Sequence, residues 1–231
     1  MKIAIIIPAY NEGTVIAGVI ENIRKELKQT KIKADIIVVN DGSKDNTALE
    51  AKKGGARVIN HILNSGAGGA TLTGIIYAQQ NNYDIMATAD ADGQHGTKDI
   101  ISGIKTIQSS NTDLLIGSRL IVSKGMSNVK KIGNKGLSLF TWFLFGVKST
   151  DSQSGLRVYS RNSIENLRWK SNGFEYCSEM IWRAKQLNLE IAEYPISAIY
   201  TKYSVSKGQN NWNAINILKG LIKQRFLEMF E

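Results

Sequence analysis

The stretch DIMATADADGQ at 84–94 holds the residue types and spacing best suited to chemistry. An apolar run of strand character leads into Asp90, Asp92 and Gln94, which stand at alternate positions. Carboxylate and amide oxygens suit Mg2+ or Mn2+, cations that keep several waters and complete their coordination with substrate phosphates. The pattern therefore favours a metal-bound diphosphate as the ligand. The alternative is that the two acidic residues only cap the next helix, which is predicted from Thr97 onward.

The first half of the chain alternates strand and helix patterns with short connections. This alternation is typical of an α/β fold with a mostly parallel sheet covered by helices on both faces. Ligands of such sheets collect at the carboxyl ends of the strands. Strands are predicted at 3–7, 35–40, 57–62, 85–87 and 113–117, and helices at 14–27, from about 46, at 70–79 and from 97.

Every polar, turn-forming cluster of the first half follows a predicted strand. The clusters are PAYNE (8–12), NDGSKD (40–45), NSGAGG (64–69), DADGQH (90–95) and GSR (117–119). Their common edge is where a nucleotide pocket would lie. Asp41 could accept from a base N–H or a ribose hydroxyl, or could cap the following segment. The glycines at 66, 68 and 69 would let the backbone approach a ligand, or form a plain turn before the helix at 70. PAYNEGT replaces the dinucleotide fingerprint after the first strand, so NAD is discounted.

Composition limits the remaining readings. The 231 residues and their 42% hydrophobic content predict one domain. No apolar stretch approaches a membrane span, and Met1 runs straight into a strand, so a cytoplasmic chain is expected. The lone cysteine, Cys177, is expected to be a packing thiol. Residues 1–115 hold 12 basic and 12 acidic residues, whereas 116–231 hold 17 and 8. A basic second half suits an anionic acceptor, a membrane surface or nucleic acid, or is simply a solvated surface.

Six motifs in this order resemble glycosyltransferase family 2, with its A-type glycosyltransferase fold. They are PAYNE, VVNDGS, N-x-G-x-G-x-A (64–70), DADGQH, GSR and DSQSGLR (151–157), and the resemblance is greatest to dolichyl-phosphate and polyprenyl-phosphate sugar synthases. The resemblance implies a nucleotide-sugar site formed by Pro8, Tyr10, Glu12, Asp41, Asn64 and Gly68. It implies that Asp90, Asp92 and Gln94 hold the metal with the diphosphate, and that Lys202 and Lys207 close over the phosphates.

The second half resembles the acceptor side of the family. Arg119, Lys130 and Lys131 flank an apolar segment, 137–147, that resembles a loop gripping a lipid phosphate. Lysine would bind that phosphate as a point charge rather than as a fork. A core helix with a basic entry is the alternative reading of this segment. The resemblance makes Asp151 a neighbour of the sugar or metal, and the alternative is a turn aspartate.

The chain is expected to divide into a nucleotide-sugar half, 1–119, and an acceptor half, 120–231. The acceptor half ends in an amphipathic helix, 212–230, with residues 215, 218, 222, 226 and 229 on one side. This helix would lie in a membrane interface, cover the sheet or dock on another subunit. The chain has no membrane span of its own, so a lipid acceptor implies peripheral contact with the cytoplasmic face of the membrane, or a membrane-protein partner. Oligomerisation is left open.

The expected activity is inverting, metal-dependent transfer of a sugar from a UDP- or GDP-sugar to dolichyl or polyprenyl phosphate, for glycan or glycoprotein assembly. A phosphate acceptor is largely dianionic at neutral pH and needs no general base. A saccharide hydroxyl would need one, and Asp151 is the candidate. A nucleotidyltransferase would carry a glycine-rich basic loop after the first strand, which PAYNEGT is not. A non-catalytic nucleic-acid module would interleave aromatic and basic residues, which the second half does not do, so no nucleic-acid partner is expected.

Overall fold

The structure, a computed structural model, describes residues 1–122, 128–197, 199, 203 and 211–228. The strands are β1 (Ile3–Ala9), β2 (Asp35–Asn40), β3 (Arg57–Asn60), β4 (Ile85–Thr88), β5 (Leu114–Ser118), β6 (Arg157–Ser160) and β7 (Ile191–Pro195). The helices are α1 (Ile16–Thr30), α2 (Thr47–Lys53), α3 (Gly66–Gln80), α4 (Thr97–Gln108), α5 (Arg119–Val122), α6 (Asn128–Phe145), α7 (Arg161–Asn166), α8 (Tyr176–Gln186) and α9 (Asn211–Glu228).

The described strands form one seven-stranded sheet in the order β3-β2-β1-β4-β6-β5-β7. All of its neighbouring pairs are parallel except those that β6 makes with β4 and with β5. β6 therefore runs against the other strands from a position between two strands of the first half. This mostly parallel sheet confirms the predicted α/β class, and β6 carries the second half of the chain into its centre.

Helices cover both faces of the sheet, because alternate residues of the inner strands point to opposite sides. In β1, Ile3, Ile5 and Ile7 pack in a core with α1, α2 and α4. Ala4 and Ile6 pack in a second core with α3 and α6 to α9. The inner strands are buried on both faces, and this burial explains their nearly continuous apolar sequences.

Some predicted boundaries are confirmed, several differ by one to three residues, and the start of α3 differs most. β2 spans the predicted 35–40, and α4 begins at the predicted Thr97. The glycine-rich segment was expected to be a turn before a helix at Ala70, but α3 already begins at Gly66. The Asp41 carboxylate accepts hydrogen bonds from the backbone N–H groups of Ser65 and Gly66, which lie at the start of the helix. Asp41, 24 positions before Ser65, therefore stabilises the start of a helix in a glycine-rich segment that by itself disfavours helix formation.

The predicted acceptor loop at 137–147 lies largely in a helix. On α6, Leu137, Thr141 and Phe145 are buried. Leu139 and Phe143 are exposed, with Phe143 at 80% of its full surface. The prediction of a loop is therefore wrong, and the alternative of a helix holds for one face of α6 only. The second face is apolar and faces outward.

The last helix uses only part of its predicted stripe to face the core. α9 packs inward through Ile217 and Leu221, which join the core that contains α6, and of the stripe Leu218 is half-buried against that core. Ile222 and Phe226, members of the predicted stripe, are exposed. Residue 229 of that stripe lies outside the described residues, as does the side chain of residue 215. Within the described ranges, none of the helices combines the length and apolar character needed to cross a bilayer.

Candidate active site

Asp90, Asp92 and Gln94 form a compact turn just beyond β4. The Asp92 carboxylate accepts the backbone N–H of Gln94 at 3.0 Å and its side-chain amide N–H at 2.5 Å. Burial, and then repulsion from Asp90, raises the pKa of Asp92. A bound cation would oppose both effects, since it stabilises the ionised form of each carboxylate. The donor set of two carboxylates and an amide therefore fits a hard divalent cation.

The helix-capping alternative for this turn is not observed. Gly96 is the residue before α4, and no side chain caps the helix there. Asp99, in the first turn of α4, supplies the negative charge that favours a helix start. Asp90 and Asp92 thus have no role in starting α4. Among the described residues, no three of His, Cys, Asp and Glu are grouped as a ready-made metal site. A cation at this turn would complete its coordination with water and, once the donor is bound, with substrate phosphate oxygens, as Mg2+ often does.

His95 lies behind the turn and helps to hold Asp90. The backbone N–H of Asp90 donates to His95 Nδ1 at 3.1 Å, and His95 Nε2 lies 3.4 Å from Asp90 Oδ2. Because Nδ1 accepts, the proton of a neutral ring is on Nε2 and faces the carboxylate. In this geometry His95 supports Asp90 through two contacts.

Asp41 joins the ends of β2 and β3 to α3. Asp41 is only 3% exposed. Its Oδ1 accepts hydrogen bonds from Ser65 N at 2.8 Å and from Ser65 Oγ at 2.7 Å. His61 Nδ1 lies 2.7 Å from the same oxygen, and Gly66 N donates to Oδ2 at 2.8 Å. Asp41 therefore caps α3, not the segment directly after it. Its predicted contact with the nucleoside stays a prediction, and Oδ2 is the oxygen with fewer partners in this network.

The PAYNE and NDGSKD motifs are tied together by hydrogen bonds. The backbone N–H of Asn11 donates to Ser43 Oγ at 2.9 Å, and that of Glu12 donates to Thr47 Oγ1 at 2.7 Å. The hydroxyl of Tyr203, far along the chain, donates to Glu12 Oε2 at 2.6 Å. These contacts bring the predicted nucleotide motifs to one edge of the sheet. Pro8 is half-buried in β1, and Tyr10 is 42% exposed beside it.

The structure gives Gly68 a packing role, and its predicted contact with the donor stays a prediction. Its N–H donates to Asn172 O at 2.7 Å, and its carbonyl accepts from Trp169 Nε1 at 3.0 Å. A Cβ at this position would lie 2.2 Å from Ser171 O. Gly68 is therefore required where α3 meets the 169–172 loop. Asn64, also predicted to bind the donor, donates from its side chain to Asp41 O at 3.3 Å.

Arg119 and Asp151, predicted for different tasks, are partners of each other. Arg119 donates to Asp151 from Nε at 2.7 Å, from Nη2 at 2.8 Å and from its backbone N–H at 3.1 Å. Asp151 is fully buried. Both oxygens of this buried carboxylate accept hydrogen bonds from Arg119, so a substrate hydroxyl has no open path to it in this arrangement. Asp151 O also accepts from Ser154 N at 3.2 Å, so Asp151 begins a turn, as the alternative expects, and its ion pair with Arg119 fixes the 151–155 loop. Its predicted place beside the sugar or the metal stays a prediction.

A groove of about 700 Å3 opens between α1 and the 90–97 loop. Asp90, Asp92 and His95 line one wall, and α1 forms the other. Tyr10 and Asp41 do not line this groove. It therefore adjoins the candidate cation site without including these two predicted nucleoside residues.

Three predicted basic residues are described only in part or not at all. Lys202 and Lys207 lie outside the described residues, and so does the side chain of Lys130. Lys131 is half-buried on α6.

Comparison with known proteins agrees with this geometry. The family profile described as "Glycosyl transferase family 2" matches residues 4–168. The chain belongs to glycosyltransferase family 2. The sheet, the motifs at its edge and the family membership together identify a glycosyltransferase of the A-type fold, as the sequence predicts.

Relatives and solved structures cover nearly the whole chain. An uncharacterized protein, MJ1222, of Methanocaldococcus jannaschii is 41% identical over 229 residues, 97% of this chain and 92% of the relative. The UDP-N-acetylglucosamine–dolichyl-phosphate N-acetylglucosaminyltransferase of Methanococcus voltae is 40% identical over 230 residues, 90% of each chain. The crystal structure of glucosyl-3-phosphoglycerate synthase from Mycobacterium tuberculosis with Mn2+, UDP-glucose and phosphoglyceric acid is 20% identical, with a TM-score of 0.72, and the match covers 96% of this chain and 77% of that one. At that identity the structural match concerns the fold.

Sequence reasoning missed four residues that shape this glycosyltransferase site. His61 holds Asp41, and Tyr203 holds Glu12. Gly155 lies against Asp90, and Arg157 donates to Ser152 O in the 151–155 loop. Only the DSQSGLR motif gave a signal for the last two. His61 and Tyr203 lie outside the recognised motifs, and their contacts depend on chain crossings that spacing does not reveal.

Proposed function

We propose that this glycosyltransferase transfers a sugar from a nucleotide-sugar to dolichyl or polyprenyl phosphate, with a divalent cation and with inversion at the anomeric carbon. The observation that carries the proposal is the bidentate pair between Arg119 and Asp151. The carboxylate named as the candidate base for a hydroxyl acceptor, Asp151, is already bound by a guanidinium. An acceptor that brings its own charged oxygen needs no such base.

The named activity of the Methanococcus voltae relative supports the same class of acceptor, since that enzyme acts on dolichyl phosphate. Its donor, UDP-N-acetylglucosamine, also makes UDP-sugars the first donors to test. A GDP-sugar is the alternative donor, because a carboxylate such as Asp41 can accept a hydrogen bond from an N–H group of uracil or of guanine.

Within this proposal, one catalytic domain binds the donor mainly through residues 1–119 and the acceptor mainly through residues 120–231. The donor contacts are Pro8, Tyr10, Glu12, Asp41, Asn64 and Gly68, with Lys202 and Lys207 of the second half over the phosphates. Asp90, Asp92 and Gln94 would hold Mg2+ or Mn2+, which when bound would neutralise charge on the departing diphosphate. The acceptor phosphate would meet Arg119, Lys130 and Lys131, with the two lysines acting as point charges.

The chemistry is a single displacement. A phosphate oxygen of the acceptor attacks the anomeric carbon from the side opposite the nucleoside diphosphate. The new carbon–oxygen bond forms as the bond to the diphosphate breaks, and the electron pair of that bond leaves with the diphosphate. No proton is transferred, so the protein contributes position and charge rather than a base. One displacement inverts the configuration at that carbon.

The exposed apolar face of α6 supports peripheral contact with a membrane, where a polyprenyl chain resides. Leu139 and Phe143 are exposed on α6, and Lys135 lies on the same helix and is also exposed. Apolar side chains with neighbouring lysines suit an interface rich in anionic headgroups. We place the enzyme at the cytoplasmic face of the membrane.

A transfer assay tests the proposal. The purified chain is incubated with dolichyl phosphate in detergent and with UDP-N-acetylglucosamine, UDP-glucose or GDP-mannose. The lipid product is then separated and identified by mass spectrometry. We expect product from at least one donor with Mn2+ or Mg2+ and none with EDTA. Transfer to free saccharides but not to the lipid phosphate, or transfer that is unaffected by EDTA, would contradict the proposal.

A further inference from the structure

Asp90 and Gly155 face each other because of the register between β4 and β6. These strands are antiparallel, and Thr88 is opposite Arg157 at the ends of the pair. Two residues beyond Thr88 is Asp90, and two residues before Arg157 is Gly155. The segment after β4 and the segment before β6 therefore leave the sheet side by side, with Asp90 near Gly155. The Thr88 hydroxyl reinforces the crossing, because it donates to Gly155 O at 2.7 Å and accepts from Arg157 N at 3.2 Å.

The Asp90 carboxylate fills the place where a side chain at 155 would stand. A Cβ on Gly155 would lie 2.5 Å from Asp90 Oδ1, 3.2 Å from Cγ and 3.3 Å from Oδ2. These three atoms, all of one side chain, are the nearest to that position. The φ angle of Gly155 is not in the left-handed region, so its backbone would accept alanine. Only the space taken by Asp90 requires glycine here.

The segment that carries Gly155 is held rigidly from below by Arg157. This arginine is fully buried, and among the described residues it has no carboxylate partner. Its Nη2 donates to Ser152 O and to Cys177 O at 2.8 Å, and its Nε donates to Ser154 O at 3.1 Å. Its Nη1 donates to Met180 Sδ at 3.0 Å. A buried charge whose partners are all uncharged is costly to bury, so displacing any of these partners is unfavourable. The 151–155 loop is thereby fixed to α8.

We propose that Gly155 is a positioning residue of the cation site, and that the 151–155 loop sets where the Asp90 carboxylate stands. The loop acts on the cation through Asp90, as residues behind a metal ligand commonly do. This inference rests on the proposed cation role of Asp90 and Asp92. It adds a residue that the motif pattern does not assign to the cation.

Gly155→Ala tests the inference with little risk to the fold. The added methyl meets the end of a flexible side chain and not backbone, so the expected response is a shift of the Asp90 carboxylate. Mn2+ alone is titrated into the wild-type chain and the variant, and free Mn2+ is followed by its electron paramagnetic resonance signal. We expect the affinity for Mn2+ to fall about 10–100-fold, the range for changes to groups that orient metal ligands. Transfer activity of the variant should recover at raised Mn2+, a response that general structural damage would not give.

Two variants serve as controls. Gly133→Ala adds the same methyl on α6 with nothing within 4 Å, so its Mn2+ affinity should equal that of the wild type. Asp92→Asn removes a proposed ligand and should weaken Mn2+ binding strongly. If Asp92→Asn weakens binding and Gly155→Ala does not, the positioning role is wrong while the cation site stands. If the wild type and Asp92→Asn behave alike, both proposals fail.

A second variant keeps the test decisive if Gly155→Ala does not fold. Thr88→Val preserves the shape of a strand residue and removes both hydroxyl bonds that tie β4 to the loop. We expect a several-fold loss of Mn2+ affinity, because Asp90 would face a less firmly held loop. A folded Thr88→Val variant with unchanged Mn2+ affinity would overturn the positioning role.

Discussion

Neutralising Asp41 is the most direct test of how the motifs at the sheet edge are held together. Three groups converge on Oδ1 within 2.8 Å, namely His61 Nδ1, Ser65 N and Ser65 Oγ, and Gly66 N donates to Oδ2. An ionised carboxylate only accepts, so His61 must carry its proton on Nδ1. Asp41→Asn keeps the size of the side chain, removes the charge and replaces one acceptor oxygen with a donor.

The expected loss of stability follows from those four contacts. A hydrogen bond to a charged group contributes about 1.5–3 kcal/mol, compared with about 0.5–1.5 kcal/mol for a neutral pair. The asparagine weakens the bonds that it keeps and turns at least one into a contact between two donors. The combined cost is about 3–5 kcal/mol, since the site is almost fully buried. For a chain of 231 residues this corresponds to a fall in Tm of about 10 °C.

Thermal melting followed by circular dichroism measures this change. Glu21→Gln, which removes an exposed carboxylate from α1, is the matched control and should melt within about 2 °C of the wild type. A Tm for Asp41→Asn that is also within about 2 °C of the wild type would refute the claim that this carboxylate organises the start of α3. In that event Asp41 would be available mainly for the ligand.

Three further outcomes are expected. Asp151→Asn should destabilise the fold by about 3 kcal/mol, because it leaves Arg119 without its buried partner. The pH–rate profile of transfer should keep its shape in this variant. If the profile instead loses its acid limb and kcat falls 100-fold or more, Asp151 is a general base. Phe143→Asp should reduce sedimentation of the protein with anionic vesicles several-fold at unchanged Tm. The control is Leu49→Asp, which places the same charge at an exposed apolar residue on α2 and should leave vesicle binding unchanged. Equal binding by both variants would exclude α6 as the contact. Burial raises the pKa of Cys177, so at pH 8 a smaller fraction of this thiol is thiolate than in the unfolded chain. A thiol reagent should therefore label Cys177 only on unfolding. Rapid labelling of the folded chain would contradict its burial.

The layered fold was predictable because its signals are local. Apolar runs such as 35–40 and turn residues after each strand predict the sheet and place the motifs at one edge. Helix starts were predictable where the sequence breaks sharply, as at Thr97. The start of α3 was not, because the carboxylate that stabilises it belongs to Asp41, on another loop.

The candidate site was predictable in its residue types but not in its pairings. Spacing placed Asp90 and Asp92 after a strand and found the DSQSGLR motif, yet gave no means of matching Asp151 with Arg119. That pairing depends on β6 running antiparallel between β4 and β5, and a short apolar strand does not reveal its direction. The same reversed strand sets Gly155 against Asp90. Long-range topology, not residue chemistry, was the missing information.

The position of β6 also determines how the chain can be divided. Both neighbours of β5, namely β6 and β7, come from residues beyond 156, so a fragment that stops at residue 119 would leave β5 without any strand to pair with. Its exposed peptide groups would invite aggregation. Donor recognition therefore cannot be transplanted as a separate module, and chimeras between relatives should exchange surface helices while keeping all seven strands from one parent.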